Sequence, residues 1–192
     1  MTKYILHGGY SAVAHDRGTA FFGEMTSGFA EPKVLECLFA RPEDEWEAAF
    51  AKDKGFVDQN FADKKIQLQL ARFETFIDQI RWADIVYFRG GKTKLLLERL
   101  SEFDDLRGLL EGKTVAGSSA GAHMLTTYHY GLSSLKVEKG LALLPLKIIA
   151  HYKSDFNAPN IDWDKAYEKL KNYGEDLPVF TLAEGQFEVR IQ

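Results

Sequence analysis

Cysteine is all but missing from this chain of 192 residues, with Cys37 the one example. A lone cysteine closes no internal disulfide and builds no zinc cluster. Cys37 lies in the apolar stretch KVLECLFA, with no turn after it to expose the thiol. It is therefore expected to act as a small core residue rather than a nucleophile. Long apolar runs are also missing. No stretch reaches the roughly 18 residues that suggest a membrane span. The opening MTKYILHGGYS is interrupted too soon for a secretory signal. The expectation is a cytoplasmic protein with no membrane association. Nor is there an excess of positive charge. The formal net charge is −4, and such a surface repels phosphate instead of releasing its counterions, which argues against a nucleic-acid partner. Repeats, low-complexity tracts and linkers are absent, so residues 1–192 are read as one domain.

What is present suffices for a core. Apolar residues make up 45% and aromatics 13%, so folding should need neither disulfides nor metals. Short apolar runs alternate with segments of helical spacing. Strands are expected over 3–7, 33–40, 64–71, 84–88, 113–117 and 145–151. Helices are expected over 42–51, 73–83, 93–101, 120–128 and 162–173. Residues 178–183 and 186–191 flank Glu184-Gly185 and read as a terminal hairpin. The alternation implies an α/β fold, a mostly parallel sheet flanked by helices on both faces. Ligands bind such sheets at the carboxyl ends of the strands. Four places fall there: Gly8-Gly9, Arg89-Gly90-Gly91, Ser118-Ser119 and His151.

Gly117-Ser118-Ser119-Ala120-Gly121 follows a strand and opens a helix. G-x-S-x-G in that setting is a nucleophile elbow. A tight strand-to-helix turn needs neighbours without bulk, exposes the central hydroxyl, and leaves N–H groups beyond it that can stabilise an oxyanion. The pattern centres on Ser119, and Ser118 fills its variable position. A small-residue packing turn is the competing reading.

A serine needs a base. His123 lies on the helix of Ser119 and is read as packing or helix surface, while His15 and His129 are read as exposed. His7 could line the crevice. His151, at the end of a neighbouring strand, is favoured as the base. Asp155, Asp162, Asp164 and Glu184 are candidates to orient it. Gly91-Lys92-Thr93 is not a phosphate-binding loop, because the glycine required five residues earlier is Val86.

The elbow, preceded by FRGGKTKLL and followed by a strand-end histidine and Leu-Ala-Glu-Gly, resembles the S51 peptidases, dipeptidase E and its relative cyanophycinase. The likeness runs nearly the whole chain in order. It implies a flavodoxin-like fold similar to the class I glutamine amidotransferases. It further implies Ser119 as nucleophile, His151 as base and Glu184 as orienting acid, with oxyanion donors at Gly90, Gly91 and Ala120. The order Ser, His, acid differs from that of α/β-hydrolases. The implied activity is hydrolysis of short peptides, dipeptides with an N-terminal Asp among them, by a monomer or homodimer without cofactor or metal. Arg89, Lys92 and Thr93 are the implied substrate contacts, and Lys153 and Arg190 are further cations available to an acidic residue. Two departures stand out: Gly90-Gly91-Lys92-Thr93 replaces the family's Gly-Gly-Asn-Thr, and Ala183-Glu184-Gly185-Gln186 replaces Arg-Glu-Gly-Ser. Amidotransferase chemistry would require cysteine at the elbow. A catalytically inactive, ligand-binding member of the fold is the non-enzymatic alternative.

Overall fold

The structure is a computed structural model and describes residues 1–10, 16, 18–154 and 161–192. In chain order the elements are β1 (Lys3–His7), α1 (Thr19–Met25), β2 (Lys33–Cys37), α2 (Trp46–Asn60), β3 (Gln67–Leu70), α3 (Phe76–Trp82), β4 (Ile85–Phe88), α4 (Thr93–Leu100), α5 (Leu106–Leu110), β5 (Thr114–Ser118) and α6 (Ala120–Leu125). They continue with β6 (Thr126–Gly131), β7 (Lys136–Lys139), β8 (Leu144–Ala150), α7 (Trp163–Lys171), β9 (Val179–Leu182) and β10 (Phe187–Ile191).

The strands form two sheets. The larger has the order β10-β1-β5-β4-β2-β3 and is parallel except for β10. Its middle strands are apolar or small at every position and buried throughout, as a parallel strand covered on both faces requires. Side chains alternate between the faces. Leu6, Val86, Phe88 and Val115 pack with α3, α4, α5 and α6. Ile5, Ile85, Tyr87 and Ala116 pack with Phe21, Phe22 and Met25 of α1 and Val57 of α2. Helices therefore cover both faces, as the sequence pattern implies.

The smaller sheet, β7-β6-β8-β9, packs Tyr128, Tyr130 and Ile149 against Ala166 and Leu170 of α7. Its presence corrects two expectations. The helix expected over 120–128 stops at Leu125. The run Thr126-Thr127-Tyr128-His129-Tyr130 is β-branched and aromatic, fits a pleated surface better than a helix, and forms β6. Residues 178–183 and 186–191 do not form a hairpin. β9 pairs parallel with β8 and β10 antiparallel with β1, so the turn between them carries the chain from one sheet to the other.

The elbow depends on close approach. A methyl group on Gly121 would stand 2.1 Å from the carbonyl oxygen of Phe88, and one on Gly117 would stand 2.5 Å from the Gly121 backbone. Gly55, on α2, has nothing within 4 Å of the same position. Gly121→Ala should therefore destabilise the protein by about 1–3 kcal/mol through overpacking. Gly55→Ala should stabilise it by up to about 1 kcal/mol, because alanine restricts the unfolded chain and favours the helix. Thermal melts of the two variants should shift in opposite directions from the parent.

Candidate active site

The carboxyl ends of β1, β4, β5 and β8 meet where the two sheets adjoin. Ser119, just past β5, adopts φ 51° and ψ −105°, an unfavourable conformation for a residue with a Cβ. His151, just past β8, has φ 53°. Strain of this kind collects at functional positions. The hydroxyl oxygen of Ser119 lies 3.0 Å from His151 Nε2, and His151 Nδ1 lies 3.0 Å from Glu184 Oε1. The Ser154 hydroxyl donates to the same Glu184 oxygen at 2.6 Å. The carboxylate is thus held from two directions. A neutral His151 that donates from Nδ1 to Glu184 presents an unprotonated Nε2 to Ser119, the tautomer that can accept the hydroxyl proton.

The backbone that holds these groups comes from the end of β1. Ser119 N–H donates to His7 O at 3.0 Å, His151 N–H to Gly8 O at 2.9 Å, and Gly185 N–H to Gly9 O at 3.1 Å. Gly9 has φ 101°, and a methyl there would stand 2.4 Å from His151 Cε1 and 3.1 Å from Ser119 Cβ. Only glycine lets the turn lie this close to both side chains. The imidazole of His7 sits beneath the turn, 1% exposed and packed on Phe21. Its Nδ1 accepts the Gly9 N–H at 3.1 Å and lies 3.1 Å from the Ser118 hydroxyl. An amide nitrogen can only donate, so His7 is unprotonated at Nδ1. Burial first, then Arg89 and His151, push its pKa down to about 4, with Asp16 opposing. His7 therefore lies under the site as a neutral prop, and Ser118 serves it.

A cavity of about 1010 Å³ opens beside Ser119 and His151. Gly90 borders the hydroxyl, since a methyl on it would stand 3.9 Å from Ser119 Oγ. Ala120 is the first residue of α6, directly after the serine. Lys92 and Thr93 line the cavity, and the Thr93 hydroxyl lies 3.1 Å from His123 Nδ1. Arg89 also lines it, but its guanidinium is occupied, 3.2 Å from Glu36 and 2.8 Å from Asp53. Burial, and Asp53 beside it, hold the Glu36 carboxyl well above its usual range. Lys153 stacks on Tyr152, and Arg190 stacks on Phe180 and pairs with Glu188. Neither is among the residues that line the cavity, whereas Arg41, Lys52 and Lys94 are. No pattern in the sequence singled out those three.

The remaining histidines and acids sort out by burial. His129 is fully buried, contrary to the exposed position expected of it, because it lies on β6 and stacks 4.3 Å from His123. Burial pushes His129 down to about 4, against the pull of Glu138, and pushes His123 well below its usual value. Asp162 caps α7 by accepting the Lys165 N–H, and Asp164 is exposed in the first turn of that helix. His15 and Asp155 lie outside the described residues. Cys37 is buried in the core, and burial pushes its thiol pKa up. Among the described residues no cluster of three or more His, Cys, Asp or Glu could hold a metal ion. Among them, too, no helix is long and apolar enough to cross a membrane.

The neutral histidines give the stability a pH signature. For His7 the folded pKa of about 4 lies below its ordinary value of 6.5. Between these values the unfolded chain binds more protons, so stability rises with pH there. It is fully present above pH 6.5 and is lost as pH falls toward 4, and His129 adds to the loss over the same window. Urea midpoints measured from pH 7 to pH 4 should fall steadily. His7→Asn, which keeps an acceptor for Gly9 without a titrating ring, should flatten that fall.

Residues 38–191 match the sequence profile described as Peptidase family S51. No protein among the curated sequences matches the chain. Among solved structures, a peptidase from an acI-B1 Actinobacterium superposes with a TM-score of 0.72 at 18% identity, over 99% of this chain and 83% of that one. A candidate peptidase E from Listeria monocytogenes EGD-e gives a TM-score of 0.64 at 16% identity, over 99% of this chain and 97% of that one. These likenesses bear on the fold, and the profile match spans most of the chain, with the β4 loop, the elbow, His151 and Glu184 inside it. The chain belongs to peptidase family S51.

Proposed function

We propose that the protein is a serine peptidase that hydrolyses short peptides, in particular dipeptides with an N-terminal Asp, through Ser119, His151 and Glu184. The observation that carries this reading is the unbroken chain of contacts from Glu184 through His151 to the Ser119 hydroxyl, with each link at 3.0 Å, opening on a cavity. Ser119 attacks the peptide carbonyl while His151 Nε2 takes its proton. The oxyanion forms against the N–H groups of Gly91 and Ala120. His151 then protonates the departing amine, water enters, and His151 draws a proton from that water as it attacks the acyl-enzyme. Glu184 keeps the imidazole in the working tautomer and stabilises the imidazolium while it exists.

The reading of an acidic substrate residue draws on the charges around the cavity. Arg89 is already paired with Asp53 and Glu36, which leaves Lys52, Lys92 and, 3.7 Å from Glu98, Lys94 on the cavity wall as cations for a substrate carboxylate. Lys92, where the family usually carries asparagine, adds charge at this point.

The test is hydrolysis of Asp-Leu, Ala-Leu and Lys-Leu by the wild type, Ser119→Ala and Glu184→Gln. Cleavage of Asp-Leu is expected, with kcat lowered on the order of 10⁶-fold in Ser119→Ala and 10⁴-fold in Glu184→Gln. Cleavage that survives Ser119→Ala would overturn the serine mechanism. Preference for another member of the panel would keep the mechanism and move the specificity.

A further inference from the structure

The loop that borders Ser119 carries a contact that the triad does not explain. Arg41 follows β2 in the turn that faces the Gly90-Gly91 loop. Its own backbone is held firmly: its N–H donates to Leu38 O at 2.9 Å, and its carbonyl accepts from Trp46 Nε1 at 3.0 Å and from the Arg99 guanidinium at 2.7 Å. From this base the side chain reaches across the cavity wall, and its Nε donates to the carbonyl oxygen of Gly90 at 3.1 Å. Among the described residues, the one carboxylate within 4.0 Å of the guanidinium is that of Glu45, more than half exposed and too solvated to neutralise it.

The carbonyl of Gly90 and the N–H of Gly91 belong to one peptide group. That group is planar and trans, so its oxygen and hydrogen point in opposite directions. A guanidinium on the oxygen therefore fixes where the hydrogen points. It also draws electron density toward the oxygen, which makes the N–H a stronger donor, because bonds to charged partners are strong and polarise those in line with them. The turn after β2 holds the loop on two further points. Lys92 N–H donates to Ala40 O at 2.8 Å, and Gly91 packs so closely on Ala40 that a methyl on it would stand 2.4 Å from the same oxygen.

We infer that Arg41 is a positioning residue whose guanidinium holds and polarises the Gly90–Gly91 peptide, so that the Gly91 N–H meets the oxyanion formed when Ser119 attacks. The inference rests on the serine peptidase reading above. Arg41 itself touches no reacting atom. It acts before and during charge development on the substrate oxygen, so its effect falls on the chemical step and not on substrate affinity.

The experiment follows acetylation of the enzyme by p-nitrophenyl acetate in stopped flow, beside steady-state hydrolysis of Asp-Leu, for the wild type, Arg41→Gln, Arg41→Lys and Ser119→Ala. In Arg41→Gln the acylation rate and kcat are expected to fall about tenfold, less than the 10²–10³-fold typical of losing an oxyanion donor outright. KM should stay within about twofold. Arg41→Lys keeps the charge and should recover part of the loss. It also serves if Arg41→Gln folds poorly, and thermal melts show which variants are intact. Arg41→Gln within twofold of the wild type in both rates would overturn the inference and leave the serine mechanism standing. A raised KM with unchanged kcat would overturn it as well, and would make Arg41 a substrate-binding cation. If the folded wild type is not acetylated at Ser119 and Ser119→Ala behaves like it, the serine reading fails and takes this inference with it.

Discussion

Three successive carbonyls at the end of β1 hold the whole site together. Those of His7, Gly8 and Gly9 accept N–H groups from Ser119, His151 and Gly185, which come from three distant parts of the chain. Ser119 lies just past β5 of the larger sheet, His151 just past β8 of the smaller one, and Gly185 in the turn that crosses between them. The two sheets share no strand, so this seam fixes the distance from hydroxyl to imidazole to carboxylate. It tolerates little side-chain bulk. Gly9 touches both Ser119 and His151, and the neutral His7 fills the space beneath by accepting the Gly9 N–H. Protonating that imidazole at Nδ1 would remove the acceptor of the Gly9 N–H.

Electrostatics around the cavity follow the same economy. Arg89 directly precedes the Gly90-Gly91 loop and lines the cavity, but Glu36 and Asp53, which line it too, occupy its guanidinium. A buried charge of this kind is tolerated because it is paired. Among the described residues, Arg41 has only the half-exposed Glu45 carboxylate within 4.0 Å. Its bond goes to the loop carbonyl, which turns a charge on the cavity wall into a restraint on the peptide beside the serine. Two arginines equally visible in the sequence thus have different roles, and the difference lies in which acids the fold brings to each.

Local patterns carried most of what could be read early. G-x-S-x-G after an apolar strand needs glycine at both outer positions because Gly121 lies on the Phe88 carbonyl and Gly117 lies on Gly121. That steric demand leaves a mark in any sequence that makes the turn. His151 and Glu184 were legible through the family likeness and through their places at strand ends, and both lie within hydrogen-bonding reach of their expected neighbours. The exposed position expected of His129 follows from a helix carried to residue 128, which leaves His129 just past its end. The run Thr126 to Tyr130 favours a strand, and only its pairing with β7 and β8 decides the matter. The terminal segments differ from the sequence pattern for a related reason: two strands on either side of Glu-Gly look like a hairpin, yet each finds its partner elsewhere, in a different sheet.

The sequence by itself determined the α/β class, the serine at the elbow and the buried character of the middle strands. These depend on periodicity and on steric needs within a few residues. The tertiary structure alone decided that there are two sheets, that His7 and Gly9 support the site, that Arg89 is neutralised and that Arg41 reaches the loop. Each of these is a contact between residues dozens of positions apart, and hydrogen bonds and ion pairs at that range leave no spacing or pattern in one sequence.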